Sequence, residues 1–291
     1  TLDNAPQYGD GSHVSGRVYT DVFTIGDLAA NISFGNILDS SPNFEPAGVD
    51  GIWGLAWYTI SDWNGTSAFQ NVVNQLGLAD RFLMCLTPSV PVMQLGGPSS
   101  DDGIQYTPVI QKSYYVVKMQ ALSVAGKDLN VPSSMWNNNQ PGCIVDSGTT
   151  LMLIPTPAYS KLFAAFQALC STTKLPGVCG VAINKSIFAN GGASTCAQMT
   201  QAQIGSFPPV AVVLDGVEPL AITGQSYLLE VQSGCYTMGI AASGASGPTI
   251  LGDVFMQAFL VVFDRTNMQV GFGDLSGCPS PMRDQPIRIT Y

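Results

Sequence analysis

The chain has 291 residues, 46% of them hydrophobic and only 11% charged, which suits one large or two ordinary domains and excludes a disordered polyelectrolyte. A net charge of −9, with 11 Lys+Arg and a single His, excludes the clustered basic side chains that nucleic acid or an anionic membrane surface requires. No apolar run approaches the ~18–20 residues of a membrane-spanning helix, and no secretory leader opens the chain, as expected if one has been removed or lies outside this segment.

In chain order, the texture is of short β-runs separated by Gly, Pro, Asn and Ser. "GRVYTDVFTIG" (16–26) alternates polar and apolar residues and is the first predicted strand. "VDGIWGLAW" (49–57) is an apolar stretch carrying glycines, expected to be a strand that turns into a helix. "SAFQNVVNQLG" (67–77) has helical apolar spacing and a glycine stop. A loop-like stretch, "LGGPSSDDG" (95–103), separates two β-rich blocks and places a lobe boundary between 1–103 and 104–291. Further strands are expected in "YYVVKMQALSVAG" (114–126), "VAVVLDG" (210–216) and "AFLVVFDRTNMQVGFG" (258–273), with hairpin turns at "AGKDL" and "DRTNM". "TPAYSKLFAAFQALC" (156–170) reads as a core helix with Pro157 in its first turn. The phrase "PTILGDVF" (248–255) echoes 49–57, with a short helix expected after its Gly-Asp, and suggests two blocks on one plan. The fold class is mostly β with a few short helices.

The chemistry points to Asp146. In "CIVDSGTTLMLIP" it follows two apolar β-formers and precedes a turn of small residues, so an acid sits at the end of a buried strand. Acids are rarely placed there without a partner or a task. The single His, His13, lies in the loop-like "GDGSHVSG", which removes Ser-His-Asp and Cys-His catalysis, and no CxxC pair supports zinc. Carboxylate chemistry remains: two carboxylates sharing one proton supply an acid and a base that together activate water. Small residues after Asp146 allow hydroxyls and backbone amides to reach its oxygens. Seven cysteines, an odd number, and three N-x-S/T sequons at Asn31, Asn64 and Asn184 favour an oxidising secretory compartment.

"IVDSGTTLMLIP" resembles the second catalytic loop of the pepsin-like aspartic proteases. Four other stretches match that family in order: "YGDGS" (8–12) as its flap hairpin, "VDGIWGLAW" as the glycine strand behind its first loop, 196–235 as its disulfide-closed segment, and 249–273 as its closing strands. The resemblance implies a bilobal acid-protease fold with an incomplete N-terminal lobe, and peptide-bond hydrolysis without metal or cofactor. It implies that Asp146 is one of two catalytic aspartates. Ser147 would tie the two catalytic loops together, and Gly148 and Thr149 would hydrogen-bond the Asp146 carboxylate. Tyr8 would be the flap tyrosine, with Gly9 and Asp10 contacting substrate and Ile52 lining the pocket. Asp10 replaces the Thr or Ser usual in pepsin. It further implies disulfides Cys196–Cys235, Cys170–Cys179 and Cys85–Cys278, which leaves Cys143 either free and buried or bonded to another segment.

The family's first Asp-Thr/Ser-Gly loop precedes its flap, whereas the flap-like stretch here begins at residue 8 and the chain's single Asp-Ser-Gly is at 146. The expectation is therefore a second aspartate on a missing N-terminal segment or a separate light chain. The alternative is a catalytically inactive binding or scaffold protein, an inhibitor or a subunit of a larger assembly. The expected partners are a polypeptide substrate and that N-terminal segment. The expected destination is secreted, lysosomal or vacuolar.

Overall fold

The computed structural model describes residues 8–9, 11–25, 28–42, 50–61, 65–88, 91–189 and 195–280. The chain forms two compact units, the first comprising Thr1–Arg81 with Ser280–Tyr291 and the second Phe82–Pro279. Among the described residues no helix is long and apolar enough to cross a membrane.

The first unit is built on a long antiparallel hairpin, β1 (Val14–Ile25) and β2 (Leu28–Ser40), paired from Val14↔Ser40 to Ile25↔Leu28. Alternation places Phe23, Ala30 and Ile32 on one face. Helix α1 (Ala68–Leu76) packs on β2, and Phe23, Trp53 and Phe69 form a chain of rings with centroids 5.1 and 6.3 Å apart. The helix begins because the Ser67 hydroxyl accepts from the Gln70 N–H, and it ends at Gly77, whose φ of 63° suits glycine. The side chain of Gln75 bonds both backbone groups of Asn31, accepting from its N–H at 3.0 Å and donating to its carbonyl at 2.7 Å. The stretch 50–57, expected to be a strand, contains no strand and leads instead into a 3-10 turn at Tyr58–Ile60. Apolar residues make a strand only where a neighbouring backbone completes the ladder.

The second unit holds the remaining strands. They are β3 (Arg81–Cys85), β4 (Val92–Leu95), β5 (Gln105–Pro108), β6 (Gln111–Lys112), β7 (Tyr115–Val117), β8 (Met119–Val124), β9 (Lys127–Asp128), β10 (Cys143–Val145), β11 (Met152–Ile154), β12 (Ala197–Gln198), β13 (Val210–Leu214), β14 (Leu220–Ile222), β15 (Leu228–Gln232), β16 (Cys235–Met238), β17 (Ile240–Ala242), β18 (Thr249–Leu251), β19 (Leu260–Asp264) and β20 (Gln269–Gly273). The short helices are α2 (Ser133–Asn137), α3 (Thr156–Ala168), α4 (Gln201–Gly205), α5 (Gly224–Tyr227) and α6 (Asp253–Met256). Among the described residues these strands form four sheets, in the orders β17-β11-β18-β10-β7-β6, β4-β3-β19-β20-β5, β14-β13-β8-β9 and β12-β16-β15. Residues after Arg81 join this unit because β3 and β4 enter the sheet of β19 and β20.

The predicted 114–126 strand is two strands in different sheets. It breaks at Lys118, whose carbonyl accepts from the Asp215 N–H at 3.0 Å, while the Asn137 side chain bonds both backbone groups of Met119. The "DRTNM" turn closes the β19–β20 hairpin. Asp264 there accepts from the Asn267 N–H and Nδ2 and from Gln269 Nε2 at 2.8–3.1 Å. Around Phe188 the core packs Phe163 and Phe166 of α3 edge to face at 5.2 Å and Tyr159 of α3 tilted at 5.7 Å. Three disulfides join Cys85–Cys278, Cys170–Cys179 and Cys196–Cys235, the pairs that the resemblance implies, and Cys143 is unbridged and buried.

Candidate active site

Asp146 stands where β10 ends. Every residue of β10 is buried, with β7 antiparallel on one side and β18 parallel on the other, Val145 lying opposite Leu251. The ladder extends one bond further, as the Asp146 N–H donates to the Leu251 carbonyl at 3.1 Å. The chain then turns, and the turn serves the carboxylate. The Gly148 N–H donates to Asp146 Oδ1 at 2.9 Å, and the Thr149 hydroxyl donates to Oδ2 at 2.7 Å. Each oxygen therefore has its own donor, which fixes the plane of the group. Glycine suits position 148, since a Cβ there would lie 3.1 Å from Asp146 Oδ1. Asp146 is half-buried and Ser147 exposed.

A second acid meets this loop. Strand β18 ends at Leu251, and Gly252 caps α6, whose first residue is Asp253. A Cβ on Gly252 would run into the carbonyl oxygens of Thr149 and Leu151, so the glycine permits this close crossing. The Asp253 and Val254 N–H groups donate to the Thr149 and Thr150 carbonyls at 2.8 and 3.0 Å, stitching α6 to the Asp146 turn. The Asp253 Oδ1 atom is buried with no hydrogen-bond partner. Burial, and then the charge of nearby Asp146, push its carboxyl up to about 7. Sequence reasoning took this Gly-Asp only as a helix start. The available signal was its parallel to Asp146, an acid just beyond an apolar strand.

The other expected site residues fall in the first unit. Tyr8 opens a tight turn in which its N–H donates to the Ser12 carbonyl and the Gly11 N–H donates to the Tyr8 carbonyl, both at 2.9 Å. Gly11 has φ 84°, a conformation glycine supplies. Gly9 is exposed and Ile52 is 63% exposed. Asp10 lies outside the described residues, as does the sequon at Asn64. Asn31 and Asn184 are exposed, although the Ser186 hydroxyl of the latter sequon is turned to the Ile183 carbonyl at 2.7 Å. Among the described residues no three His, Cys, Asp or Glu side chains cluster as metal ligands would.

A profile of the eukaryotic aspartyl proteases matches residues 4–275. An aspartic protease of Phaffia rhodozyma is 32% identical over 272 residues, covering 91% of this chain and 61% of that protein. The aspartic proteinase nepenthesin-2 of Nepenthes gracilis is 29% identical over 280 residues, covering 91% and 58%. Pepsin A of Canis lupus familiaris is 27% identical over 283 residues, covering 92% and 65%. The chain thus spans roughly 60% of the length of these curated relatives. With a family match over nearly its whole length and an Asp-Ser-Gly-Thr loop folded around its own carboxylate, the chain belongs to the eukaryotic aspartyl proteases.

Proposed function

We propose that the protein is an aspartic endopeptidase in which Asp146 supplies one carboxylate of a two-aspartate centre. The observation that carries this reading is the Asp146 turn, where the Gly148 N–H and Thr149 hydroxyl each hold one carboxylate oxygen at 2.9 and 2.7 Å. A carboxylate fixed in this way presents its free lone pairs in a set direction, as a group that positions water must. The mate is an aspartate on polypeptide that joins this chain, either an N-terminal segment or a separate light chain. One carboxylate takes a proton from water while the other protonates the scissile carbonyl, and the attack needs neither metal nor covalent intermediate.

Tyr8, Gly9 and Asp10 form the flap that covers an extended substrate, with Ile52 beside it, and the substrate backbone is bonded like an added strand. Ser147 ties the two aspartate loops together. Three disulfides suit an oxidising compartment, and we assign the protein to the secretory pathway, as a secreted, lysosomal or vacuolar enzyme with Asn31 and Asn184 open to glycosylation.

The test is cleavage of a peptide library at acid pH by the full-length protein, with and without a statine-type inhibitor. Inhibitor-sensitive cleavage that disappears in Asp146→Asn is the expected result. Cleavage that survives this change removes the mechanism. A folded protein that neither cleaves nor binds the inhibitor is instead a binding or scaffold member of the family.

A further inference from the structure

Among the described residues of the second unit, Asp253 is an ionisable side chain with a buried oxygen, Oδ1, that has no hydrogen-bond partner. Parallel pairing of β10 with β18 brings it to Asp146, because each strand ends in an acid within two residues of the Val145↔Leu251 pair. Its backbone holds the Asp146 turn through the bond to the Thr149 carbonyl, and Thr149 in turn donates to Asp146. Asp253 is therefore one residue of backbone away from the donors that orient the reactive carboxylate.

Among the described residues, the elements around it offer no counter-charge. The elements packed against α6 include α5, β11 and β18, and β20 through Phe255 against Phe272 at 5.8 Å. Their sequences, "GQSY", "MLI", "TIL" and "QVGFG", contain no Lys, Arg or His, and neither do β10, "CIV", and α6 itself, "DVFM". The titratable groups they present are Tyr227, whose buried hydroxyl donates to the Pro208 carbonyl at 2.6 Å, and Cys143, a buried thiol. Asp146, the remaining neighbour, repels a second negative charge. A helix of one turn provides little compensating dipole, and Asp253 Oδ1 has no donor.

We propose that Asp253 is a positioning residue that holds the Asp146 turn only while it carries a proton, so that its ionisation loosens the turn and disables the site. Losing the proton places two like charges at the ends of neighbouring strands, one of them partly desolvated and unpaired. The strain falls on the bond between the Asp253 N–H and Thr149, and through Thr149 on Asp146. The inference rests on the endopeptidase reading for its consequence in activity, but its structural half stands apart from it.

The direction with pH is fixed by linkage. A carboxyl near 4 in the unfolded chain and about 7 in the folded protein binds its proton more tightly when folded. Its stabilisation is complete below about pH 4 and is lost as pH rises through about 7. The experiment follows the melting temperature of the full-length protein and of Asp253→Asn from about pH 4 to about pH 8.5. The wild type is expected to fall behind the variant by at least about 5 °C across the upper half of this range. Parallel curves overturn the proposal.

Carbon NMR of the Asp253 carboxyl in the wild type keeps the test decisive if the variant does not fold. A midpoint near 7 is expected, and one near 4 overturns it. Calorimetric binding of a statine-type inhibitor gives the functional readout, and the variant is expected to retain binding at higher pH than the wild type. Loss of binding at the same pH in both proteins overturns the link to the site. No binding by either at any pH counts against the endopeptidase reading, and melting and NMR still decide the role of Asp253.

Discussion

The Asp146 turn and the β1–β2 hairpin are both β-structure punctuated by small residues, yet they are held in different ways. Around Asp146 a three-residue strand suffices, because β7 and β18 flank it, α6 is bonded to its turn, and both carboxylate oxygens have donors. The hairpin has twelve- and thirteen-residue strands in a two-stranded sheet. It leaves Val22 60% and Leu38 62% exposed. A two-stranded ribbon is marginal alone, and here it depends on the face that α1 covers. Length of strand is therefore a poor guide to rigidity; the number of independent constraints on each residue is a better one.

The largest test of that contrast is chemical. Under the proposed function, Asp146→Asn lowers peptide cleavage by about 10²–10⁴-fold, the range for losing a positioned acid–base group. Asp39→Asn, an exposed acid on β2, leaves the rate unchanged within about twofold. Rates on one fluorogenic peptide check both, and equal losses would mean that Asp146 acts through stability alone.

The disulfides sharpen the comparison next, since all seven cysteines lie at or beyond Cys85 and none in 1–81. The closed loops have sequence separations of 193, 39 and 9. The chain-entropy model assigns them about 5, 4 and 2.5 kcal/mol. Paired Cys→Ala changes should destabilise in that order, measured by denaturant unfolding. Amide exchange should quicken in the second unit and stay unchanged in the hairpin.

Glycines give a third contrast. In Gly252→Ala the new methyl meets the backbone oxygens of Thr149 and Leu151, which cannot swing away. A loss of about 3 kcal/mol is expected, the upper end for overpacking. A Cβ at Gly54 in the first unit meets nothing within 4 Å, and Gly54→Ala should change stability by less than about 0.5 kcal/mol. Equal costs would mean that the crossing at Gly252 opens easily.

Much of this was legible in the sequence where local rules decide. Strand β1, helices α1 and α3, the short α6 and the Asp146 turn all follow from alternation, caps and small residues. What escaped depends on distant neighbours. The alternating 114–126 run gives no sign that its halves join different sheets, because that is decided by Asp215 and Asn137. β2, whose Asn31, Gly35, Asn36 and Asp39 interrupt its apolar residues, owes its strand to pairing with β1. Asp253 was missed because only the parallel pairing of β10 with β18 brings it beside Asp146. Burial and like charge between remote residues have no local pattern.

The smallest effect concerns the first unit. Ser67→Ala removes the hydroxyl that accepts from the Gln70 N–H at 3.3 Å and leaves one more N–H of the first turn of α1 without its acceptor. A lost cap of this kind costs about 1 kcal/mol. The first turn of the helix contains no acidic residue to complement its dipole. Its buried Phe69, Val72 and Val73 lie within its first six residues, so fraying at the start loosens the packing of α1 on β2. Amide exchange should therefore accelerate about fivefold, the equivalent of about 1 kcal/mol, along α1 and at the Asn31 N–H bonded to Gln75. Amides of β10 and β18 should be unaffected, and equal acceleration there would show that the two units unfold as one.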